Sequence, residues 1–194
     1  MRKVIESTLI SADGVIGEPH AWTGEHFGED AVARALEQMR RTDAMVMGRG
    51  TYEMFSTIWA KPADDYSSAI YNMKKYVFSS TLERADWNNT EVVKGDVAAT
   101  VAELKGQAGQ DIVLYGHGGV GQALLEGGML DELKLWVHPV VVGRGRLLFR
   151  PGKNTRLNLA RTDTTATGVV ILTYHPNYVT QSREGSAENT AALT

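Results

Sequence analysis

The chain has 194 residues, a length that suits one domain better than two. Its residues are 43% hydrophobic and 22% charged, a composition typical of a globular protein with a sizeable core. The net charge of −3 gives no electrostatic reason to expect a nucleic acid partner. The absence of cysteine excludes disulfides and thiolate chemistry, and the five histidines lack metal-ligand spacing, so we predict no metal.

The sequence contains no apolar run long enough to cross a membrane, and the N-terminal stretch lacks the apolar segment of a signal peptide. We therefore expect a cytoplasmic protein that contacts no membrane. After Tyr178 the composition turns to small and polar residues that cannot bury a core. This change predicts one domain over residues 1–178 and a disordered tail over residues 179–194.

Strands and helices alternate in the first two thirds of the chain, and strands follow one another in the last third. The predicted strands cover residues 4–10, 44–47, 76–78, 92–93, 111–115, 132–142, 157–164 and 169–175. The predicted helices cover residues 31–40, 51–58, 97–105 and 120–126, with Asp96 as the N-cap of the third. This order predicts an α/β fold with a mainly parallel central sheet, a C-terminal antiparallel hairpin and helices on both faces.

The loop GHGGVG, from Gly116 to Gly121, follows a predicted strand and precedes a helix. Glycines let the backbone approach an anion, and a helix N-terminus offers free N–H groups, so a pyrophosphate would fit. A tight turn that needs positive φ explains the glycines equally well. The loop matches GxGxxG, but the Rossmann pattern needs an acidic residue about 20 positions further on. Asp131 and Glu132 come earlier and precede their strand, so we reject a Rossmann fold.

Two other loops follow predicted parallel strands, whose carboxyl ends form the ligand-binding edge of an open α/β sheet. In MGRGTYE, Arg49 stands at a helix start beside glycines and is suited to a phosphate; a surface pair with Glu53 is the alternative. In FSST, three hydroxyls follow a strand and would suit the extra ribose phosphate of NADPH. Serine and threonine are also common turn residues.

Taken in order, the motifs of this chain resemble those of the dihydrofolate reductase-like superfamily. The similar branch contains the C-terminal reductase domain of the bacterial riboflavin-biosynthesis deaminase/reductase and its stand-alone relatives. The motifs are DGVIG at 13–17, MGRGTYE at 47–53, FSST at 78–81, GHGGVG at 116–121 and LDELKLWVHPVVVGRGRLLF at 130–149. The resemblance covers residues 3–175, and the last motif is the most distinctive of that branch.

The resemblance implies that NADPH is the cofactor and that the protein forms a homodimer through its late β region. It also implies where the cofactor binds: phosphates at Arg49, Gly50 and Thr51, the 2′-phosphate at Ser79 and Ser80, the pyrophosphate at Gly116, Gly118, Gly119, Val120 and Gly121, and the nicotinamide at Ile16 and Ala12.

The groups that would act on a substrate are less clearly marked. Asp13 begins the nicotinamide loop and is our candidate for the proton donor or a substrate hydrogen bond; an Asx turn is the alternative. Trp22 and Tyr52 are candidates for stacking on a planar ring, and they fit a core role equally well. We interpret Arg144 and Arg146 as solvated charges of a hairpin turn; contact with a phosphate-bearing substrate is the alternative.

The sequence also departs from both reductase types that it resembles. Dihydrofolate reductases carry an acidic residue that binds the pterin ring, whereas Glu29 and Asp30 fall at a helix start, where they also suit capping. Tyr115, Gly116 and His117 stand where the riboflavin reductase domain has Glu-Gly-Gly. We predict an NADPH-dependent reductase of a small pyrimidine- or pteridine-like heterocycle. The alternatives are a weak dihydrofolate reductase and a non-catalytic NADPH-binding regulatory protein.

Overall fold

The computed structural model describes residues 1–149 and 154–178, and these form one mixed sheet with helices packed on it. The strands are β1 (Val4–Ser11), β2 (Thr42–Gly48), β3 (Lys74–Phe78), β4 (Thr90–Val93), β5 (Asp111–Tyr115), β6 (Glu132–His138), β7 (Arg156–Thr164) and β8 (Val170–Asn177). The α-helices are α1 (Glu29–Met39), α2 (Arg49–Ile58), α3 (Asp65–Asn72), α4 (Val97–Gly106) and α5 (Gly118–Glu126). Short 3₁₀ turns lie at Pro19–Ala21 and Gly24–His26.

The strand order across the sheet is β4-β3-β2-β5-β1-β6-β8-β7. The six strands from β4 to β6 in this order are all parallel to one another. Strand β8 runs antiparallel to both β6 and β7. The predicted mainly parallel sheet with a C-terminal antiparallel hairpin is therefore confirmed.

Helices cover both faces of the sheet because alternate residues of each strand point to opposite sides. On one face Ala44 and Val46 of β2 belong to the core that includes Leu104 of α4 and Leu124 of α5. On the other face Met45 and Met47 of β2 belong to the core formed with helices α1, α2 and α3. Parallel strands buried on both faces explain the continuous apolar runs in the sequence.

Helix α3 is the element that the sequence analysis did not predict. Its N-cap is Asp64, whose Oδ1 accepts a hydrogen bond from the Ser67 backbone N–H at 2.7 Å, while the Ser67 hydroxyl meets the Asp64 backbone N–H at 2.9 Å. This is a reciprocal capping box with the acidic residue first, the reverse of the usual Ser-x-x-Glu order. The predicted N-cap Asp96 of α4 is confirmed, because its Oδ1 accepts from the Ala99 N–H at 2.7 Å.

Helices α2 and α5 begin two residues earlier than the sequence indicates, so Gly118 and Gly119 form the first turn of α5. The predicted tail at 179–194 lies outside the described residues. Over residues 1–149 and 154–178, no helix is long and apolar enough to cross a bilayer. Within the same ranges no His, Asp and Glu side chains cluster as metal ligands.

Candidate nucleotide and substrate cleft

A cleft of about 890 Å³ opens at the carboxyl ends of the parallel strands. Residues at the ends of β2, β3, β4 and β5 line it, together with the middle of β1 and β6. The volume is in the range of sites that bury a small organic ligand. Parallel strands bring their following loops to one edge of the sheet, so loops far apart in sequence meet here.

The three predicted loops converge on this cleft. The predicted cofactor residues that line it are Ile16, Arg49, Gly50, Thr51, Ser79, Ser80, Gly116, Gly118, Gly119 and Val120. We call the part lined by residues 48–51, 78–80 and 116–120 the nucleotide half. Of the predicted cofactor residues, Ala12 and Gly121 do not line the cleft.

Arg49 forms the surface pair with Glu53 that the sequence analysis gave as the alternative, and it also contacts Thr81. Its Nε lies 2.6 Å from Glu53 Oε1, and its Nη1 donates a hydrogen bond to Thr81 Oγ1 at 2.8 Å. Ser79 Oγ lies 3.4 Å from Thr81 Oγ1 and accepts a hydrogen bond from the Leu82 N–H at 2.9 Å. The result is a half-exposed guanidinium beside a cluster of hydroxyls, which is suited to a phosphate.

Gly116 is required where two of the loops touch. It has a φ of +74°, and a Cβ at this position would lie 2.4 Å from Thr51 Oγ1. Gly119, by contrast, has an ordinary φ, and a Cβ there would meet nothing within 4 Å. Gly116 therefore serves the turn itself, while Gly119 leaves open space at the N-terminus of α5, where free N–H groups favour an anion.

Gly121 lies behind the cleft and makes room for a buried pair of charged side chains. A Cβ on Gly121 would lie 2.5 Å from His117 Nδ1 and 2.9 Å from Glu6 Oε2. His117 Nδ1 is 2.9 Å from Glu6 Oε1, which also accepts a hydrogen bond from the Thr8 hydroxyl at 2.9 Å. The predicted pyrophosphate contact of Gly121 is therefore replaced by a packing role.

The Glu6–His117 pair is nearly inaccessible, with relative exposures of 0% and 2%. Burial lowers the pKa of His117, but the hydrogen bond and charge of Glu6 outweigh it, and the pKa lies above its ordinary value. His117 lines the cleft, and its ring packs edge-on against Phe149 at 5.8 Å between centroids. Glu6 escaped the sequence analysis, although an acidic residue inside the apolar stretch Val4–Ser11 is a usable signal.

Arg146 is exposed, as its interpretation as a solvated turn residue predicts, and it also lines the cleft. Its backbone oxygen accepts a hydrogen bond from the Ile16 N–H at 2.8 Å, which draws the 143–147 segment against the nicotinamide loop. Its Nη1 lies 3.9 Å from where a Cβ of Gly118 would stand. Arg146 therefore places a second guanidinium at the nucleotide half, while Arg144 does not line the cleft.

Asp13 is exposed and does not line the cleft. Its carboxylate accepts hydrogen bonds from the Ser11 hydroxyl at 2.6 Å, the Gly143 N–H at 2.7 Å and the Val142 N–H at 3.1 Å. The Ser11 bond and these backbone bonds lower the pKa of Asp13 to about 2. An acid that is ionised at neutral pH and bonded in a turn is not placed to donate a proton, so the Asx-turn interpretation describes it better.

Trp22 and Tyr52 do not face the cleft either. Trp22 Nε1 donates a hydrogen bond to the Gly17 oxygen at 2.9 Å and holds the loop before α1. Tyr52 is buried in the core, and its hydroxyl accepts a hydrogen bond from the Asp86 N–H at 3.1 Å. For Tyr52 the core alternative is the one the structure shows.

The acidic residues at the start of α1 are also directed elsewhere. Neither Glu29 nor Asp30 lines the cleft, and Asp30 Oδ2 accepts a hydrogen bond from the Ala166 N–H at 2.7 Å. The side chains that α1 does present to the cleft are those of Ala35 and Gln38. Helix α1 therefore places no carboxylate in the cleft that could bind a pterin ring.

The other half of the cleft is walled by a continuous arc of aromatic rings. Successive members of this arc have centroids 4.4 to 6.5 Å apart. In spatial order the arc consists of Tyr115, Phe55, Trp59, Tyr66, Phe27 and Trp136. We call it the aromatic arc, and all its members line the cleft. The sequence analysis mentioned only Tyr115 near this place, because the six residues come from five separate segments of the chain.

The side chains of Tyr66 and Tyr115 in the aromatic arc influence each other's pKa. Burial raises the pKa of Tyr66 to about 12 and that of Tyr115 well above its ordinary value. Both hydroxyls are therefore neutral at physiological pH and available as hydrogen-bonding groups.

The fold and this cleft together define a dihydrofolate reductase-like α/β domain with a nucleotide-sized site at the ends of its strands. The model of the RibD C-terminal domain matches residues 2–171, and the chain therefore belongs to the RibD C-terminal domain family. The resemblance stated from the motifs is thus confirmed.

A curated relative and three solved structures show how widely this architecture is shared. YyaP, an uncharacterized protein of Bacillus subtilis (strain 168), is 31% identical over 72% of this chain and 77% of its own. A Shewanella sp. PV-4 protein named for riboflavin biosynthesis superposes with a TM-score of 0.70 at 21% identity, over 91% of this chain and 99% of its own.

A pyrimidine reductase-like protein from Corynebacterium diphtheriae gives a TM-score of 0.60 at 16% identity, covering 91% of this chain and 92% of its own. A Thermotoga maritima protein is named a diaminohydroxyphosphoribosylaminopyrimidine deaminase/5-amino-6-(5-phosphoribosylamino)uracil reductase. It gives a TM-score of 0.63 at 12% identity, covering 91% of this chain and 57% of its own.

Proposed function

We propose that this protein is an NADPH-dependent reductase that transfers hydride to a small heterocycle of the pyrimidine or pteridine kind. The observation that carries the proposal is the convergence of the three anion-suited loops on one cleft that continues into the aromatic arc. Membership of the RibD C-terminal domain family and the likeness to reductases support it.

The residues of the nucleotide half fit the charged parts of NADPH. Arg49, Ser79 and Ser80 would hold the 2′-phosphate, because a guanidinium beside hydroxyls is the arrangement that distinguishes a phosphorylated ribose from a free one. The pyrophosphate would lie on the open N-terminus of α5 at Gly118 and Gly119, with Arg146 beside it.

The apolar parts of the cleft fit the two ring systems of the cofactor. Val93 and Val97 line the cleft next to the Ser79–Ser80 turn and would contact the adenine. Ile16 is buried at the junction between the nucleotide half and the aromatic arc, where the nicotinamide would lie. Bound NADPH would supply a hydride to a double bond of the substrate, and a proton from solvent would complete the reduction.

The protein's own contribution is to orient the ring and exclude water. The aromatic arc removes water from one side of the substrate, which strengthens polar contacts to the reacting group. The neutral hydroxyls of Tyr66 and Tyr115 can donate hydrogen bonds to a substrate heteroatom without bringing charge into this space.

A titration with NADPH and NADH in parallel tests the proposal, with the fluorescence of the cleft residues Trp59 and Trp136 as the signal. Saturable quenching by NADPH at micromolar concentration, with much weaker quenching by NADH, is the expected result. If neither nucleotide binds, the proposed function is wrong. If NADPH binds and no heterocycle is reduced on a broad panel, the non-catalytic alternative replaces it. The homodimer remains a prediction that sedimentation analysis would check.

A further inference from the structure

The side chain of Gln38 is the unexplained polar group of the cleft. It is 7% exposed, it lines the cleft on the face of α1 that also presents Ala35, and its Nε2 is buried with no hydrogen-bond partner. A buried amide group left without a partner destabilises the fold. Such a cost within a ligand-sized cavity is expected where a ligand supplies the missing partner.

The orientation of this amide is determined by a neighbouring charge. Lys134 Nζ donates a hydrogen bond to Gln38 Oε1 at 3.1 Å, and the same ammonium lies 3.1 Å from Glu132 Oε1. Turning the amide over would direct its NH₂ group at an ammonium, which is unfavourable. Gln38 therefore presents N–H donors, and the positive charge behind it disfavours a cationic ligand.

The six rings of the aromatic arc carry no charge, because both of its tyrosines are neutral. Among the described lining residues, the carboxylates and the Lys or Arg side chains are Glu18, Arg49 and Arg146. Arg49 belongs to the nucleotide half, Arg146 lies beside Gly118 of that half, and Glu18 is exposed in the turn before Pro19. The described part of the aromatic half thus offers neither a cation for a phosphate nor a carboxylate for an amidine-like ring edge.

We propose that the aromatic half binds an uncharged, planar ring compound that carries a carbonyl oxygen and no phosphate, with that oxygen accepting a hydrogen bond from Gln38 Nε2. This inference rests on the proposed function and names the substrate class of the same cleft. It differs from the phosphoribosylamino compound in the name of the Thermotoga relative and from a pterin held by a carboxylate. The six rings provide the contact surface, because aromatic rings prefer to meet edge-to-face or offset.

Two matched pairs of probes test this class, with binding measured calorimetrically to protein saturated with NADP⁺ so that no turnover occurs. Quinazoline-2,4-dione and quinazoline-2,4-diamine share one skeleton and differ in carbonyl against amino groups. Uridine and uridine 5′-monophosphate differ only in the phosphate. We expect the dione to bind at least ten-fold more tightly than the diamine, and the phosphate to give uridine no advantage.

Variants of Gln38 separate ligand binding from a purely structural role. Gln38→Leu removes the donor and the buried unpaired group together, so we expect an unchanged or higher Tm and at least a ten-fold loss of dione affinity. Gln38→Glu supplies a carboxylate and should shift the preference towards the diamine. Gln107→Leu is the control, because Gln107 is exposed at the end of α4 and does not line the cleft.

The outcomes separate this inference from the proposed function. NADP⁺ binding with tighter binding of the diamine or of the monophosphate to the unaltered protein would overturn the inference alone. Unchanged dione affinity in Gln38→Leu, or no binding of any of the four probes, would do the same. Absence of NADP⁺ binding would overturn the proposed function itself.

Discussion

The two halves of the cleft are built in opposite ways. The nucleotide half consists of short polar loops, each lying directly after a parallel strand and each carrying its own local signature of glycine, hydroxyl or arginine. The aromatic half consists of rings from five separate segments, and none of these rings has a local signature. A phosphate is the same group in every ligand that carries it, so one contiguous loop can recognise it. A ring that differs between ligands is instead enclosed by residues from many parts of the fold.

His117 combines a local loop with a partner that is distant in the sequence. It is part of the glycine-rich loop, yet its conformation depends on Glu6, which is 111 residues away in sequence. The pair is held in place by Thr8 and by the missing side chain of Gly121. The conformation of the glycine-rich loop therefore depends on core residues that lie outside the loop.

The largest expected effect comes from removing Glu6. Glu6→Leu leaves the buried His117 without its partner, and breaking a buried pair in this way costs about 3–5 kcal/mol of unfolding free energy. Urea unfolding measures the loss. The control is Asp86→Asn, which breaks the exposed Arg84–Asp86 pair and should cost less than about 1 kcal/mol. Equal losses in the two variants would contradict the structural role given to the Glu6–His117 pair.

The same pair predicts a pH dependence. The pKa of His117 in the folded protein lies above its ordinary value of 6.5, so protonation stabilises the fold. This stabilisation is complete below about pH 6.5 and disappears as the pH rises through the raised pKa. The unfolding free energy of the wild type should therefore fall, relative to that of Glu6→Gln, as the pH rises from about 6 through the raised pKa of His117. Parallel curves over this range would show that His117 does not titrate with a raised pKa.

A pair of glycine substitutions would sharpen the description of the nucleotide half. In Gly116→Ala the new Cβ meets Thr51 at a positive φ, so we expect a loss of about 1–3 kcal/mol of stability and a large loss of NADPH affinity. In Gly119→Ala the Cβ enters open space, so the fold should be as stable as the wild type or slightly more so.

Measuring stability and NADPH affinity in both glycine variants tests where the pyrophosphate of the cofactor binds. If the pyrophosphate lies on α5, Gly119→Ala weakens NADPH binding without loss of stability, because the methyl group occupies the approach to the backbone. Thermal unfolding and an NADPH titration on the same samples distinguish these effects. Full NADPH affinity in Gly119→Ala would place the pyrophosphate elsewhere.

A smaller and more selective effect is expected at Arg49. Arg49→Ala removes a charged hydrogen bond to the 2′-phosphate, worth about 1.5–3 kcal/mol, so NADPH affinity should fall by roughly 10- to 100-fold. NADH affinity should change little, because NADH lacks that phosphate. Arg84→Ala is the matched control, since Arg84 is exposed in an ion pair away from the cleft. If the affinities for NADPH and NADH fall equally, the 2′-phosphate does not bind at Arg49.

The smallest effect is expected at Asp13. Its lowered pKa means that the carboxylate stabilises the turn above about pH 4 and that this contribution disappears as the pH falls through about 2. Asp13→Asn should therefore cause a slight loss of stability at neutral pH and leave NADPH affinity unchanged. If instead the variant abolishes turnover while it binds both ligands normally, Asp13 regains the role of proton donor.

The sequence by itself determined the family, the sheet and most of the nucleotide half. Strand β5 was predicted with its observed bounds, and Arg49, Thr51, Ser79 and Gly116 were all placed correctly at the cleft edge. These features can be predicted from the sequence because parallel strands place the loops that follow them at one edge of the sheet. The loop residues therefore lie close together, however the rest of the chain packs.

Only the tertiary structure decided which residues form the aromatic half of the cleft. Gln38 and the aromatic arc are ordinary core-like residues in sequence, and they become a site because helices α1, α2 and α3 cross the same face of the sheet. The same crossing buries Tyr52 and directs Asp30 away from the cleft. Side-chain direction on a helix depends on its rotation against the sheet, and that rotation is set by packing between segments distant in the chain.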